Sequence, residues 1–422
     1  MAPAVAAPNV PDGSVPFWGL MTFTFILLLA PQSLVPALAP LRIALVTAGL
    51  AIAAHLGGRF VRGRPFMSLT REVWITACLV GWAIVTLPLS YWPGGSVSLL
   101  LGQYFKALAV FWLIGNVVTS LPRVRLLTQG LSLMAVPLAV SGVSNYLSGE
   151  FIAGGVHRRI HGFDAPLTGN PNDLALMLSL ILPLSVALVL ATRRPLLRVL
   201  LLGSVVLSVV GVIVTFSRGG FLALSTIVAM YLWKLRGRRE WGWALAVPLV
   251  VLAGLPFLPE GYVGRLETIT DIQSDPTGSA QARWTDLNAA TSFVLANPIV
   301  GAGVGMNALA LNELRGATWR EVHNVYLEYA VDLGLPGLVL FLVLVFGCLR
   351  CATFVQRRSA GVPALRELFY LAEGIQISLA AFAVAALFYP AAYHFYFYYL
   401  GGLAVAVKAV YEAGAHRTGL DR

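Results

Sequence analysis

The chain has 422 residues, of which 58% are hydrophobic and only 11% are charged. This composition excludes an ordinary soluble domain and indicates a protein with several membrane-spanning helices. The net charge of +10 does not predict nucleic acid binding, because the basic residues form short clusters between apolar runs and not one continuous face. We expect membrane lipids, and no nucleic acid, among its partners.

Twelve apolar runs have about the length of a transmembrane helix. No Lys or Arg occurs in the first sixteen residues, so we interpret the first run as a retained helix and not as a signal peptide. The sequence therefore predicts an all-α polytopic membrane protein with about twelve transmembrane helices. The runs cover approximately residues 17–30, 41–56, 73–91, 99–119, 126–146, 173–192, 199–217, 220–234, 241–257, 334–350, 368–388 and 395–411.

Basic residues mark alternate connections between these runs, for example at Arg123, Arg194 and Arg350. The positive-inside rule places these connections and both termini in the cytoplasm. The other connections then face outward, away from the cytoplasm.

Two of these outward connections are long, 147–172 and 258–333. Apolar residues in the second loop argue against disorder and predict a small helical cap. The chain accordingly divides into nine helices within 1–257, the loop 258–333, and three helices with a cytoplasmic C-terminus in 334–422.

Arginines in the outward connections are unusual, because the same rule favours them on the other side. Arg218 ends an apolar run, and it either reaches lipid headgroups or donates a bidentate pair of hydrogen bonds to a phosphate. Gly219 next to it would allow a ligand to approach the backbone. Arg265 and Arg283 lie in the large loop, where a solvated surface charge is the alternative to anion binding.

His323 begins an amphipathic helical pattern that contains Asn324 and Tyr326 and is broken at Gly334. A neutral imidazole at a membrane surface is a candidate proton acceptor near neutral pH. The alternative is a histidine whose ring is satisfied by the backbone.

Further polar candidates lie in or near the first half of the chain. Asn172 is either a helix cap or a substrate contact, and Lys106 either reaches outward or lines the site. Arg159 and His161 lie in the other long loop. His157 and His161 have a zinc-like spacing, but no third ligand follows, and no pair of acids resembles a metal site. We expect no metal and no cofactor.

Several motifs occur in an order that resembles the O-antigen ligase and O-antigen polymerase superfamily. They are Thr-Phe-Ser-Arg-Gly-Gly at 215–220, Ala-Arg-Trp at 282–284, Asn-Pro-Ile-Val-Gly-Ala-Gly-Val-Gly at 297–305, His-Asn-Val-Tyr-Leu at 323–327, Gly-Leu-Pro-Gly at 334–337, and Arg-Ile-His-Gly-Phe with Asn-Pro-Asn within 159–172. The order of the motifs, the loop length and the number of helices also match, so the resemblance covers most of the chain.

The resemblance implies a membrane-embedded glycosyltransferase of the GT-C type that is inverting and metal-independent. It also implies a bacterial inner-membrane protein whose active site faces the periplasm. Its donor would be a glycan on undecaprenyl diphosphate, and a ligase would use a sugar hydroxyl of the lipid A core as acceptor. His323 would be the general base, and Arg218, Arg283, Arg265 and Arg159 would hold the diphosphate. Asn324, Tyr326, Asn172, His161 and Lys106 would contact substrate, and we expect a monomer.

Three alternatives remain open at this point. A polymerase, or a transferase that joins the glycan to protein, would carry the same motifs. A lipid or glycan transporter belongs to a different class, but transporters tend to show repeated halves and broken helices near the membrane midplane. Here the polar residues gather at one face of the membrane, which favours the enzyme.

Overall fold

The computed structural model describes residues 13–152, 159–236, 238, 258–259, 261–271, 273, 275, 277–316 and 318–418. Within these residues the protein is helical, and its extended structure is limited to one isolated bridge between Phe151 and Ile160. Eight of the described helices are long and apolar enough to cross a membrane. The chain is therefore an all-α polytopic membrane protein.

The helices follow the predicted apolar runs closely. They are α1 (Ser14–Leu29), α2 (Ile43–Val61), α3 (Arg71–Thr86), α4 (Pro93–Val117, with a π-helical turn at Leu100–Tyr104), α5 (Leu121–Leu147), α6 (Pro171–Ala191), α7 (Pro195–Val214), α8 (Arg218–Leu235), α9 (Tyr262–Glu267), α10 (Ser279–Ala296), α11 (Val325–Ser359), α12 (Arg366–Ala385) and α13 (Phe395–Thr418). Every predicted run except 241–257 coincides with a long helix, and 241–257 lies outside the described residues.

Side-chain caps begin the helices that matter for the site. Asn170 accepts a hydrogen bond from the Asn172 amide at the start of α6, and Ser217 accepts one from the Gly220 amide at the start of α8. Such caps satisfy backbone donors that a helix leaves unpaired at its first turn. Helix α6 is the most enclosed span, surrounded by α5, α7, α8 and α12.

The basic ends of the helices meet at one end of the bundle. Arg125 at the start of α5 pairs with Glu367 at the start of α12, and Arg366 donates to the Leu190 carbonyl at the end of α6, 2.9 Å away. The starts of α6, α8 and α11 therefore lie at the opposite end, together with the cap, which comprises α9, α10 and the described residues around them within 258–320.

Helix α11 is broken at Gly334, where φ is 67° and ψ is −175°. At the break, the Leu335 amide donates to the Pro298 carbonyl at 2.8 Å, and the Ala302 amide of the cap donates to the Val331 carbonyl at 2.7 Å. Backbone groups freed by the break are thus satisfied by the glycine-rich segment of the cap. The break fastens the cap to the membrane helix. The helix begins at Val325, ahead of the predicted run 334–350.

Candidate active site

A tight turn between α7 and α8 positions Arg218. Phe216 in this turn has a φ of 53°, in the left-handed region that non-glycine residues rarely adopt. Its buried ring packs edge-on against Tyr262 of α9, with 5.5 Å between the ring centroids, and stacks with Tyr146 at 6.3 Å. This packing holds the strained turn and makes Arg218 the first residue of α8.

The Arg218 guanidinium turns into the protein, where the side chain is 6% exposed. Its Nη1 donates to Thr268 Oγ1 at 2.8 Å and to Asp275 Oδ2 at 3.1 Å, and its Nη2 donates to Ser279 Oγ at 2.7 Å. All three partners belong to the cap. The arginine therefore ties the start of α8 to the cap and has an anionic partner within the protein.

Asp275 is shared by two arginines. Its Oδ1 accepts a hydrogen bond from Arg265 Nη1 at 3.0 Å, and its Oδ2 accepts from Arg218 and from the Ala280 amide at 2.8 Å. Burial opposes ionisation of this carboxyl, but hydrogen bonds from Thr277 and Ala280 and the charge of Arg218 lower its pKa below the usual range. Asp275 is therefore an ionised counter-ion between two cations.

Arg283 of α10 lines the same pocket as Arg218 but has no such partner. Within the described part of the chain, its guanidinium makes no hydrogen bond or ion pair. Burial lowers the pKa of Arg283 to about 10, and the neighbouring charges of Arg218, Arg265 and Arg159 add to this effect. A half-buried cation in this state favours the arrival of an anion.

Arg159 completes the group from the other long loop. Its Nη2 donates to Asn172 Oδ1 at 3.0 Å, and its Nε is buried without a hydrogen-bond partner among the described residues. Burial lowers the pKa of Arg159, and repulsion from Arg218 lowers it further. Four arginines from distant parts of the sequence are thus close enough to repel one another, while one carboxylate pairs with two of them.

The pocket has an empty volume of about 810 Å³, part of which is open solvent. Helix α10 contributes one face to it, formed by Ala280, Arg283, Trp284 and Leu287 at helical spacing. Its apolar lining on the membrane side comes from the starts of α8 and α11 and from the turn after α12, with Leu222, Leu327, Leu387 and Phe388. The pocket therefore joins a cationic wall to an apolar one.

His323 lines this pocket from the segment before α11. Its Nδ1 lies 3.2 Å from the Glu321 carbonyl oxygen, which can only accept, so Nδ1 carries the proton and Nε2 keeps its lone pair. Burial lowers the pKa of His323, and the charge of Arg283 lowers it further. The ring is therefore neutral near pH 7, with Nε2 able to accept a proton.

An ion-pair clamp that sequence reasoning missed holds the segment before His323. Asp286 of α10 accepts from Arg315 and from Arg320, each at 2.8 Å, and Arg315 also donates to the Arg320 carbonyl at 2.7 Å. Arg320 reaches the Ala282 carbonyl of α10 at 2.9 Å as well. These contacts fix the approach to His323 against the helix that carries Arg283, and no local sequence pattern signals them.

The remaining candidates have structural partners or lie elsewhere. Asn324 lines the pocket, but its Oδ1 caps α11 by accepting from the amides of residues 326 and 327. The Tyr326 hydroxyl donates to the Ala383 carbonyl at 2.7 Å, and Asn172 holds Arg159. Arg265 lies behind Arg218 and outside the described lining of the pocket.

Lys106 and His161 are both exposed and are not among the described residues that line the pocket. Packing accounts for Gly219, because a Cβ there would lie 2.6 Å from the Tyr389 ring, and the approach of a ligand to its backbone stays a prediction. Tyr389 itself was missed by sequence reasoning, and its hydroxyl lies 3.0 Å from Ser217 Oγ. Glycine allows this close packing under the arginines.

The described acids of the cap do not form a metal-binding group. Asp275 and Asp286 are each occupied by two arginines. Within the described ranges, no group of three or more His, Cys, Asp or Glu side chains is placed to hold a metal ion.

Comparison with known proteins adds one finding. Residues 203–342 match the family described as O-antigen ligase, and this stretch runs from α7 into the first part of α11. It covers about a third of the chain and includes Arg218, Arg283 and His323. No curated protein matches the chain significantly in sequence. The match supports an enzyme of the O-antigen ligase and polymerase superfamily, whose members act as glycosyltransferases.

Proposed function

We propose that the protein is an O-antigen ligase, which transfers a glycan from undecaprenyl diphosphate to a sugar hydroxyl of the lipid A core. The reaction would occur at the periplasmic face of the bacterial inner membrane, in a GT-C-type fold with both termini in the cytoplasm. The family match over the cap and its flanking helices supports this proposal, and so does the pocket that contains Arg218, Arg283 and His323.

The main support for the proposal is that Arg283 lines the pocket without an ionic partner among the described residues. A half-buried guanidinium without an anionic partner keeps its fork of donors available, and this fork fits phosphate oxygens. Arg218 and Asp275 already satisfy each other in part, whereas Arg283 has its donors available in the described structure. A diphosphate would supply the missing negative charge.

His323 would act as the general base. Its Nε2 would take the proton of the acceptor hydroxyl while that oxygen attacks the anomeric carbon of the donor sugar. The bond from this carbon to the diphosphate oxygen breaks, and the diphosphate leaves with the electron pair. A single displacement of this kind inverts the anomeric configuration.

The arginines would stabilise the leaving group. Arg283 and Arg218 line the pocket where charge develops on the diphosphate, so they can supply positive charge without a metal ion. Arg265 would act through Asp275 by fixing the orientation of Arg218, and Arg159 adds positive potential from the other loop. The apolar wall at Leu222 and Leu327 would accept the first part of the polyprenyl chain.

Reconstitution tests the proposal directly. Purified protein is incubated with lipid-linked glycan and lipid A core, without added metal, and the products are separated by size. The wild type should join the two, and His323→Ala should abolish joining while the protein still folds. His161→Ala is a matched control, because this exposed histidine lies outside the described pocket lining.

The products also separate the alternatives. Lengthening of the lipid-linked glycan would identify a polymerase, for which the same family match would hold. Full activity in the His323→Ala variant would remove the proposed base, and the absence of any transfer by the wild type would overturn the assignment as a transferase.

A further inference from the structure

We propose that Trp284 forms the stacking platform for the donor sugar that is bonded to the diphosphate, and thereby contributes to the selection of that sugar. This inference rests on the proposed transfer reaction, but it concerns a residue to which that reaction assigns no role. It names a binding subsite for a pyranose ring beside the cationic wall.

Trp284 lies on the pocket face of α10, directly after Arg283. The two side chains point to neighbouring parts of the same pocket, but their environments differ. Arg283 is partly buried, whereas Trp284 is 54% exposed. A large indole is thus held at the mouth of a pocket whose inner wall is cationic.

Two other aromatic side chains of the cap, Tyr262 and Phe293, have aromatic packing partners. The ring of Tyr262 packs against Phe216, and Phe293 packs against Tyr91 with 5.9 Å between the ring centroids. Trp284 makes no ring contact, cation–π contact or hydrogen bond with any described residue. The described residues therefore offer this indole no aromatic or hydrogen-bonding partner.

The chemistry of an exposed indole fits a sugar. A pyranose ring has an apolar face of C–H groups that packs flat on an aromatic ring, while its hydroxyl groups stay in water. The indole N–H can also donate to one of these hydroxyls. A pocket that combines such a surface with a few polar groups is typical of small-ligand sites.

The position of Trp284 predicts contact with the sugar next to the diphosphate and not with sugars farther along the glycan. In the proposed reaction, the phosphates lie at Arg283 and Arg218, and the anomeric carbon lies between them and His323. The first sugar must therefore lie beside Arg283, which is one residue from Trp284 on the same helix face. The acceptor sugar approaches from the side of His323.

Trp319 provides a matched control. It is 68% exposed on the same cap, but it is not among the described residues that line the pocket. Exposed tryptophans near a membrane also serve as interfacial anchors. If Trp284 had only that role, the two tryptophans should respond alike to substitution.

The experiment measures transfer and binding separately for Trp284→Ala, Trp284→Phe and Trp319→Ala. For Trp284→Ala we expect the KM for the lipid-linked glycan to rise roughly ten-fold, with a small change in kcat and in the KM for the acceptor. Trp284→Phe should recover most of the loss, because it keeps an aromatic face. Trp319→Ala should resemble the wild type.

Binding to detergent-solubilised protein gives a readout that does not need turnover. Trp284→Ala should weaken binding of the lipid-linked glycan and leave binding of undecaprenyl diphosphate without a sugar unchanged. The inference would be overturned by an equal loss of binding for both lipids, by an effect confined to the acceptor, or by equal effects of the two alanine variants. Absence of transfer by the wild type would instead count against the proposed function, and the binding comparison would still decide the role of Trp284.

Discussion

Replacement of Asp275 with Asn tests how the arginine cluster is held together. The carboxylate is completely buried and accepts from Arg218 Nη1 at 3.1 Å and from Arg265 Nη1 at 3.0 Å, and both arginine side chains are 6% exposed. The substitution keeps the size of the side chain and removes its charge. It leaves two buried guanidinium groups without their counter-ion, next to Arg283, which has no ion pair in the described structure.

The expected cost follows from the burial of this pair. Removal of one partner from a buried ion pair costs about 3–5 kcal/mol. The Asn oxygen can still accept a hydrogen bond from the Thr277 or Ala280 amide. We therefore expect a loss near the lower end, about 3 kcal/mol, in the free energy that docks the cap.

Thermal unfolding in detergent, with and without pyrophosphate, measures the effect. Asp275→Asn should melt at a lower temperature than the wild type, and pyrophosphate should stabilise it more than the wild type because the anion replaces the lost charge. At about 100 times its Kd, a ligand adds about 2.7 kcal/mol of stability. Asp271→Asn, at an exposed acid of the same loop, is the control. An unchanged melting temperature, or equal stabilisation of all three proteins, would refute this account.

Three further outcomes are expected. Arg218→Lys should reduce kcat roughly 100-fold in the transfer assay, because one ammonium cannot bond both cap and phosphate; near-normal kcat would contradict this. Transfer requires a neutral His323, so activity should fall as the pH drops through the lowered pKa of His323, which places the acid limb of the pH–activity profile below 6.5. Arg283→Gln removes a charge that lowers this pKa, so the acid limb of the residual activity should move to higher pH. An unshifted acid limb would contradict an influence of Arg283 on His323. Gly334→Ala should lower the free energy of unfolding by about 1–3 kcal/mol because of its positive φ, and by more because a Cβ would lie 2.1 Å from the Ile299 carbonyl oxygen. Gly316→Ala has a similar φ of 72° but open space around the new Cβ, so it should lower stability less when both variants are compared by thermal unfolding.

The membrane made most of the fold predictable, because a spanning helix needs a long apolar run. Hydropathy alone missed the start of α11, since two acids interrupt its apolar pattern, whereas the amphipathic pattern from His323 predicted a helix there that breaks at Gly334, and this prediction is confirmed. The Glu328 carboxylate accepts from the Ala392 amide at 3.1 Å, and the Asp332 carboxylate accepts from the Tyr393 hydroxyl at 2.9 Å. Hydropathy treats these acids as exposed, whereas the fold buries them with partners that are distant in sequence.

The site was predictable in its residue types but not in its contacts. The sequence alone predicts arginines in outward connections, where the positive-inside rule disfavours them, and one histidine at the start of a helix. The pairing of Arg218 with Asp275 spans 57 residues and has no local signal. The strained turn at Phe216 packs against Tyr262 of the docked cap, and the clamp on Asp286 joins residues 29 and 34 positions apart, so neither has a local signal.

This dependence on docking links substrate capture to the position of the cap. Helix α8 supplies Arg218, the cap supplies Arg283 and Asp275, and the segment before α11 supplies His323, so none of these parts forms the pocket alone. The cap is fastened at the break in α11 and at the Arg218–Asp275 pair. If a diphosphate binds between Arg218 and Arg283, it adds a bridge between the bundle and the cap. Substitutions that loosen either fastening should therefore weaken diphosphate binding, even when they touch neither Arg283 nor His323.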